Sequence, residues 1–304
     1  MTTLVDLVHE TKRHLQSMQR EPMNKLNAAI TADAENVSFL YDASQVQTGS
    51  YLQIGLELLY VWAVDQSAKT AVVGRGELGS TAAAHAEGDV VTVNPKFPDY
   101  TIVKAINDDL RDLSTPTNGL FRVRTVELTA SATSPGYDLT GATSDVLEVL
   151  SVTTRHPGAP RVWSPVTNYE LNRNAHSDFA SGYSFHLADG AYPGQPVRVT
   201  YKAAFTALAN LSDNVETVSG LPATMHDLPP MGAAVRLVAP REIRRNFIDG
   251  QGDSRRAEEV PPGATAASMR ALAALRQQRI DAEHGRLAQA YPERQAMPSP
   301  VAWL

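Results

Sequence analysis

Short runs of strand-forming residues, cut at close intervals by glycine, aspartate and serine, fill residues 37–97. This constrains the chain more than any other feature. The segment reads Val37-Ser38-Phe39-Leu40-Tyr41, Gly49-Ser50-Tyr51-Leu52-Gln53-Ile54-Gly55, Glu57-Leu58-Leu59-Tyr60-Val61-Trp62 and Ala71-Val72-Val73-Gly74. It closes on His85-Ala86-Glu87-Gly88-Asp89-Val90-Val91-Thr92-Val93. β-branched and aromatic side chains suit a pleated surface, and the punctuating residues suit tight turns. Turn signals about eight to twelve residues apart predict a small antiparallel β-barrel made of hairpins.

The same segment contains Gly74-Arg75-Gly76-Glu77-Leu78-Gly79, a match to G-x-G-x-x-G after an apolar run. A dinucleotide site would need a helix of several turns next, then a buried strand ending in an acidic residue. Ser80–Ala86 is too short before Glu87-Gly88-Asp89, and no βαβ repeat surrounds it. The expected role of these glycines is therefore to permit positive φ in barrel turns. His85, with no serine or aspartate motif beside it, reads as a turn-capping or packing residue. The other histidines are scattered, without H-E-x-x-H or a third ligand, so no metal site is expected. There is no G-x-S-x-G elbow. Asp108-Asp109, neighbours about 100° apart on a helix, read as a solvated pair rather than a catalytic dyad. The chain has no cysteine, which excludes disulfides and thiolate chemistry. No cofactor is expected.

The remaining periodicities fix the organisation. Leu4, Leu7, Val8, Leu15 and Met18 predict a helix over residues 3–19, and Ile102, Val103, Ile106, Leu110 and Leu113 predict a second. Strand candidates follow at Phe121–Leu128, Val146–Thr154, Tyr183–Leu187 and Val197–Tyr201. A third helix is expected over Thr224–Phe247, with Pro229-Pro230 in its first turn and a kink at Pro240. The expected class is α+β: a helical domain with an inserted small antiparallel β-barrel, a second antiparallel β region, and an extended C-terminal helix and tail. The expected divisions are 1–26 and 98–118 (helices), 27–97 (barrel), 119–223 (β region), 224–249 (helix), 250–263 (linker) and 264–304 (helix and Pro-rich tail).

Net charge is −6 over 304 residues, unlike the basic balance of a free nucleic-acid-binding domain. It is uneven. Residues 241–304 hold ten Arg against eight Asp and Glu, net +2, which leaves 17 basic and 25 acidic residues, net −8, before them. Arg241, Arg244, Arg245, Arg255 and Arg256 fit three roles: phosphate contact, a carboxylate-rich partner, or complement to a helix C-terminal dipole. The Ala- and Arg-rich stretch after residue 264 favours helix, yet its large apolar residues are few: Met269, Leu272, Leu275, Ile280 and Leu287. Trp303-Leu304 ends the chain. A Trp there is costly to leave in water: it either folds back on its own domain or, the reading favoured here, anchors in a pocket on a neighbouring subunit. The expected partner interface comprises Arg241, Arg244, Arg245, Met269, Leu272, Ile280, Leu287, Trp303 and Leu304. Residues 251–304 are expected to form a separable docking segment. No run is apolar enough to span a membrane, and the N-terminus lacks the pattern of a signal peptide.

The barrel segment resembles one found in structural proteins of tailed bacteriophages. The residues that carry this are Gly49–Gly55 with Glu57, then Val73-Gly74-Arg75-Gly76-Glu77-Leu78-Gly79-Ser80-Thr81, then His85–Asp89. The flanking plan, with Lys104-Ala105-Ile106-Asn107-Asp108-Asp109-Leu110, Val197-Arg198-Val199-Thr200-Tyr201-Lys202 and Leu221-Pro222, is similar to the head-to-tail adaptor (head completion) family over residues 3–247. The resemblance implies a non-enzymatic virion protein, present in host cytoplasm during assembly and in the virion neck afterwards. It implies a homo-oligomeric ring, usually of twelve subunits, beneath the portal protein, contacting further neck and tail proteins. Genomic DNA would pass through without being read, and an acidic wall would not trap a moving polyanion. The alternatives are another phage neck or tail protein, a surface-binding module with a concave pocket on the barrel, or a nucleotide-dependent enzyme using residues 74–79.

Overall fold

The computed structural model describes residues 2–16, 21–131, 136–139, 146–156, 158–187, 192–249 and 264–292, apart from the side chains of 159–160, 239–249 and 264–265. In chain order the elements are α1 (Leu4–Gln16), β1 (Met23–Lys25), β2 (Asn36–Ser38), β3 (Tyr51–Ile54), β4 (Glu57–Asp65), β5 (Thr70–Gly74), β6 (Val90–Val93) and α2 (Asp99–Leu113). There follow β7 (Arg122–Thr129), β8 (Gly136–Asp138), β9 (Val146–His156), β10 (Ala159–Val166), β11 (Tyr169–Asn172), β12 (Ser184–Leu187), β13 (Pro196–Ala203), α3 (Leu228–Asp249) and α4 (Ala264–Ala290). The chain is 31% helix and 32% strand, a mixed class that fits α+β. No helix among the described residues is long and apolar enough to cross a membrane.

Two compact units divide the chain: Met1–Leu110 with Ala207–Gln278, and Arg111–Thr206 with Arg279–Leu304. In the first, all six strands β1–β6 form one antiparallel sheet in the order β1-β6-β3-β4-β5-β2. It curls into a half-barrel, where a small antiparallel barrel was expected. Its two edge strands approach at one place, where Asn27 N–H donates to Ser38 O and Leu40 N–H to Lys25 O, each at 2.9 Å. Period-2 alternation sends Leu52, Ile54, Leu59, Val61, Val73, Val91 and Val93 inward, where they meet Leu26, Val37 and Phe39 in one fully buried cluster.

The helices of this unit follow their apolar spacing. Leu4, Leu7 and Val8 of α1 and Ile102, Ile106 and Leu110 of α2 are buried, and α1 packs on α3. Asp6 accepts from the N–H and hydroxyl of Thr3 at 2.8 and 2.9 Å, which caps the start of α1. Lys12 of α1 pairs with Asp99 at the head of α2 at 2.6 Å, and Gln53 of β3 accepts from the Asp99 N–H at 2.9 Å. The curled sheet is thus fastened to the helices by side chains as well as by chain continuity. α3 carries Pro229 and Pro230 in its first turn, as expected, and includes Pro240 on its way to Asp249.

The second unit is antiparallel. Its sheets run β10-β9-β13-β7 and β11-β12-β8. On β13, Val197, Val199, Tyr201 and Ala203 are buried, whereas Arg198, Thr200 and Lys202 lie on the opposite face. The buried set meets Phe185, Tyr183 and Leu139 in one cluster that both sheets share. Strands β8, β10 and β11 were not legible from the residue pattern. β10 contains two prolines, which argue against a central strand. It is in fact an edge strand, paired with β9 alone, where a missing N–H costs little.

Candidate functional site

The Gly-rich loop folds as a barrel turn. Glu77–Gly79 makes a single 3-10 turn, with Gly76 in the left-handed region at φ 64°. No helix follows: Ser80–Ala84 has no regular secondary structure, and His85 then pairs with Ile30 through two backbone hydrogen bonds of 2.9 Å. No helix N-terminus faces a phosphate here, so the loop lacks the feature that makes G-x-G-x-x-G a dinucleotide cradle.

What holds this loop is Glu57, at the start of β4, whose side chain is fully buried. The Arg75 guanidinium grips it in a fork, Nε to Oε1 at 2.7 Å and Nη2 to Oε2 at 2.8 Å. The backbone N–H groups of Gly76 and Ala83 donate to it at 3.2 and 3.1 Å. His85 Nε2 lies 2.7 Å from Oε2, and because an ionised carboxylate only accepts, that nitrogen carries the proton. Arg75 spends its remaining donors on the carbonyls of Thr31, Ala34 and Ala83. Burial alone pushes the Glu57 carboxyl up. The hydrogen bonds from Arg75, His85 and Ala83, with the charge of Arg75, outweigh it and hold the group below the ordinary carboxylate range. A carboxylate offers about four lone-pair sites, and five donors already converge here. Its acceptor sites are thus engaged from within the chain, and the constellation fastens the loop. His85 is accordingly a packing residue that pairs with a buried charge. Ser80 adds a second fastening: its hydroxyl accepts from Leu58 N–H at 3.0 Å and donates to Glu77 O at 2.8 Å.

On the outer face of the same sheet stand aromatic rings. Tyr51 and Tyr60 face each other across β3 and β4, with ring centroids 5.4 Å apart, edge to face. Trp62 meets Tyr60 at 4.6 Å in the same manner. Register shifts between Val61 and Ala63, so Trp62 occupies a β-bulge, and it is 59% exposed. Gly74 lies beneath: a Cβ there would come within 2.9 Å of both Trp62 Nε1 and Glu77 Oε1.

A second buried charge lies among the helices of the first unit. Asp109 of α2, read from sequence as solvated, is only 1% exposed. Arg276 of α4 binds its Oδ1 at 2.8 Å, and Arg236 of α3 approaches at 3.5 Å. The carboxylate occupies space that only glycine leaves open, since a Cβ on Gly232 would fall 1.9 Å from Oδ1. Two arginines and the space over Gly232 in α3 accommodate this aspartate away from water, whereas its neighbour Asp108 is half-buried.

The second unit holds a cavity of about 780 Å3. Its charged lining is already engaged. Lys202 pairs with Glu148 at 2.7 Å and sits 4.9 Å over the Phe121 ring, and Arg173 donates to the carbonyls of Val146 and Leu147.

The residues expected at a partner interface fare differently from one another. Ile280 and Leu287 are buried within this chain, at 1% and 5% exposure. Met269 and Leu272 are half-buried, and Leu275 is 49% exposed. Arg241, Arg244 and Arg245 fall on α3, but their side chains lie outside the described residues, as do Arg255, Arg256, the linker at 250–263, Trp303 and Leu304. Sequence reasoning missed Glu57 and Arg75 as a pair. The available signal was a lone carboxylate opening the apolar run Leu58–Trp62, a position that demands a buried cation. Among the described residues no group of three or more His, Asp or Glu is placed to hold a metal.

No protein-family model matches the chain, and no curated protein matches it.

Proposed function

We propose that the chain is a structural, non-enzymatic protein of a tailed-phage virion: a head-to-tail adaptor that forms a ring beneath the portal and passes DNA to the tail. One observation carries the reading. Among the residues that bear the resemblance, Glu57 on β4 binds Arg75, Gly76 and His85, and Ser80 binds Glu77, so that together they fasten one loop to the sheet. The motif is therefore spent on building a scaffold, and its carboxylate is saturated by donors, as suits an assembly module rather than a catalyst. The acidic body supports passage of a polyanion without capture. α4 contributes a continuous exposed face that includes Leu275, the part of the docking segment left open by its packing.

The test is capture of the full chain on immobilised portal rings, with Leu275→Asp as the perturbing variant. Retention of the parent chain, weakened at least tenfold by the substitution, is the expected result. No retention would remove the portal from the account. The enzyme alternative is tested by calorimetry with NAD and ATP. No heat of binding is expected, and micromolar binding abolished by Gly76→Val would replace this reading.

A further inference from the structure

The outer face of the barrel carries a cluster that its own sheet does not need. Trp62 is 59% exposed on a bulge, a device that re-aims a side chain. Its Nε1 makes no hydrogen bond among the described residues. Tyr60 and Tyr51 continue the surface with edge-to-face contacts. Gly74 lets the Trp62 indole and the Glu77 carboxylate lie close over the sheet, each within 2.9 Å of where a Cβ would stand. Leu78 is 66% exposed although its backbone sits at φ 54°. A bulky residue in the left-handed region is strained, and such strain persists only where the surroundings enforce it. The enforcing groups are those around Glu57, which pin both ends of this turn. The loop is thus braced from inside while an apolar side chain is presented outside.

An aromatic ladder with an unpaired indole N–H is the chemistry that recognises a proline-rich segment. The rings stack on the preformed polyproline helix, and the donor takes a carbonyl that such a helix leaves free. This chain supplies such a segment. After Pro292, residues 293–304 read Glu-Arg-Gln-Ala-Met-Pro-Ser-Pro-Val-Ala-Trp-Leu, with Arg294 four residues before Pro298 to complement Glu77. Fully extended, these residues reach roughly 40 Å, at about 3.3–3.6 Å each. We propose that Pro298-Ser299-Pro300 of one copy docks on the Tyr51–Tyr60–Trp62 surface of the next. The exposed face of α4 is then left for the portal. This rests on the ring reading for its geometry, since a head-to-tail contact between copies is what closes a ring.

The absence of cysteine makes the test direct. Full-length chains bearing Val72→Cys, on the outer face beside Gly74 and 40% exposed, are mixed with differently tagged full-length chains bearing Ser299→Cys, under mild oxidation. The expected product is a disulfide heterodimer of the two tags. It should fall at least tenfold when the first chain also carries Trp62→Ala, or the second Pro298→Ala and Pro300→Ala. Ser67→Cys, in the exposed β4–β5 turn, sets the level of random collision. A heterodimer no more abundant than that control overturns the proposal. So does a yield indifferent to Trp62→Ala. Portal capture is scored separately: crosslinking without capture sinks the adaptor reading and leaves this contact standing, while capture without crosslinking does the reverse.

Discussion

At the scale of single residues, two buried carboxylates do most to specify the structure. Each is enclosed by arginine and by a glycine or backbone N–H that leaves it room. Glu57 holds its proton less tightly in the folded chain than in the unfolded one. Its contribution is therefore complete above the ordinary value near 4.5 and is lost as pH falls through the depressed folded value. Acid unfolding followed by circular dichroism should show a barrel transition below pH 4.5 in the parent chain. That pH dependence should be blunted in Glu57→Gln. Arg75→Ala leaves the carboxylate buried without its cation and should cost about 3–5 kcal/mol in urea unfolding. Gly232→Ala places a methyl group on Asp109 and should cost about 1–3 kcal/mol; unchanged stability would show that α2 and α3 separate easily. Neither pair was legible as a pair. Glu57 and Arg75 are 18 residues apart, and Asp109 and Arg276 are 167 apart. No local pattern encodes a contact at such separations. The glycines were legible as turn formers because positive φ is a local requirement, and Gly76 and Gly79 meet it.

At the scale of elements, periodicity carried the reading of α1, α2 and α3, because an apolar face is written in consecutive residues, whereas α4 was legible from its helix-favouring composition. Periodicity did not reach β10, whose prolines are harmless on an edge. The larger revision concerns α4. Its thin stripe of Ile280, Glu283 and Leu287 is buried within the chain, and Arg276 of the same helix binds Asp109. The helix therefore belongs to the fold rather than to a separable segment. Deleting residues 251–304 should destabilise what remains instead of leaving it intact. Ile280→Ala should cost about 2–5 kcal/mol, measured by thermal or urea unfolding. A negligible loss would return α4 to the status of a docking arm.

At the scale of the whole molecule, an acidic chain with a braced, strained barrel loop and an exposed aromatic surface reads as a part made to be held by others. The ring is a claim about copies, and it is tested by weighing them. Native mass spectrometry of the purified full chain, at micromolar concentration and near-physiological salt, should show one closed assembly of many copies, with a twelve-subunit ring as the expected mass. That assembly should be lost with Trp62→Ala. A single 32.9 kDa species, unchanged on raising concentration and on adding portal rings, would contradict the account.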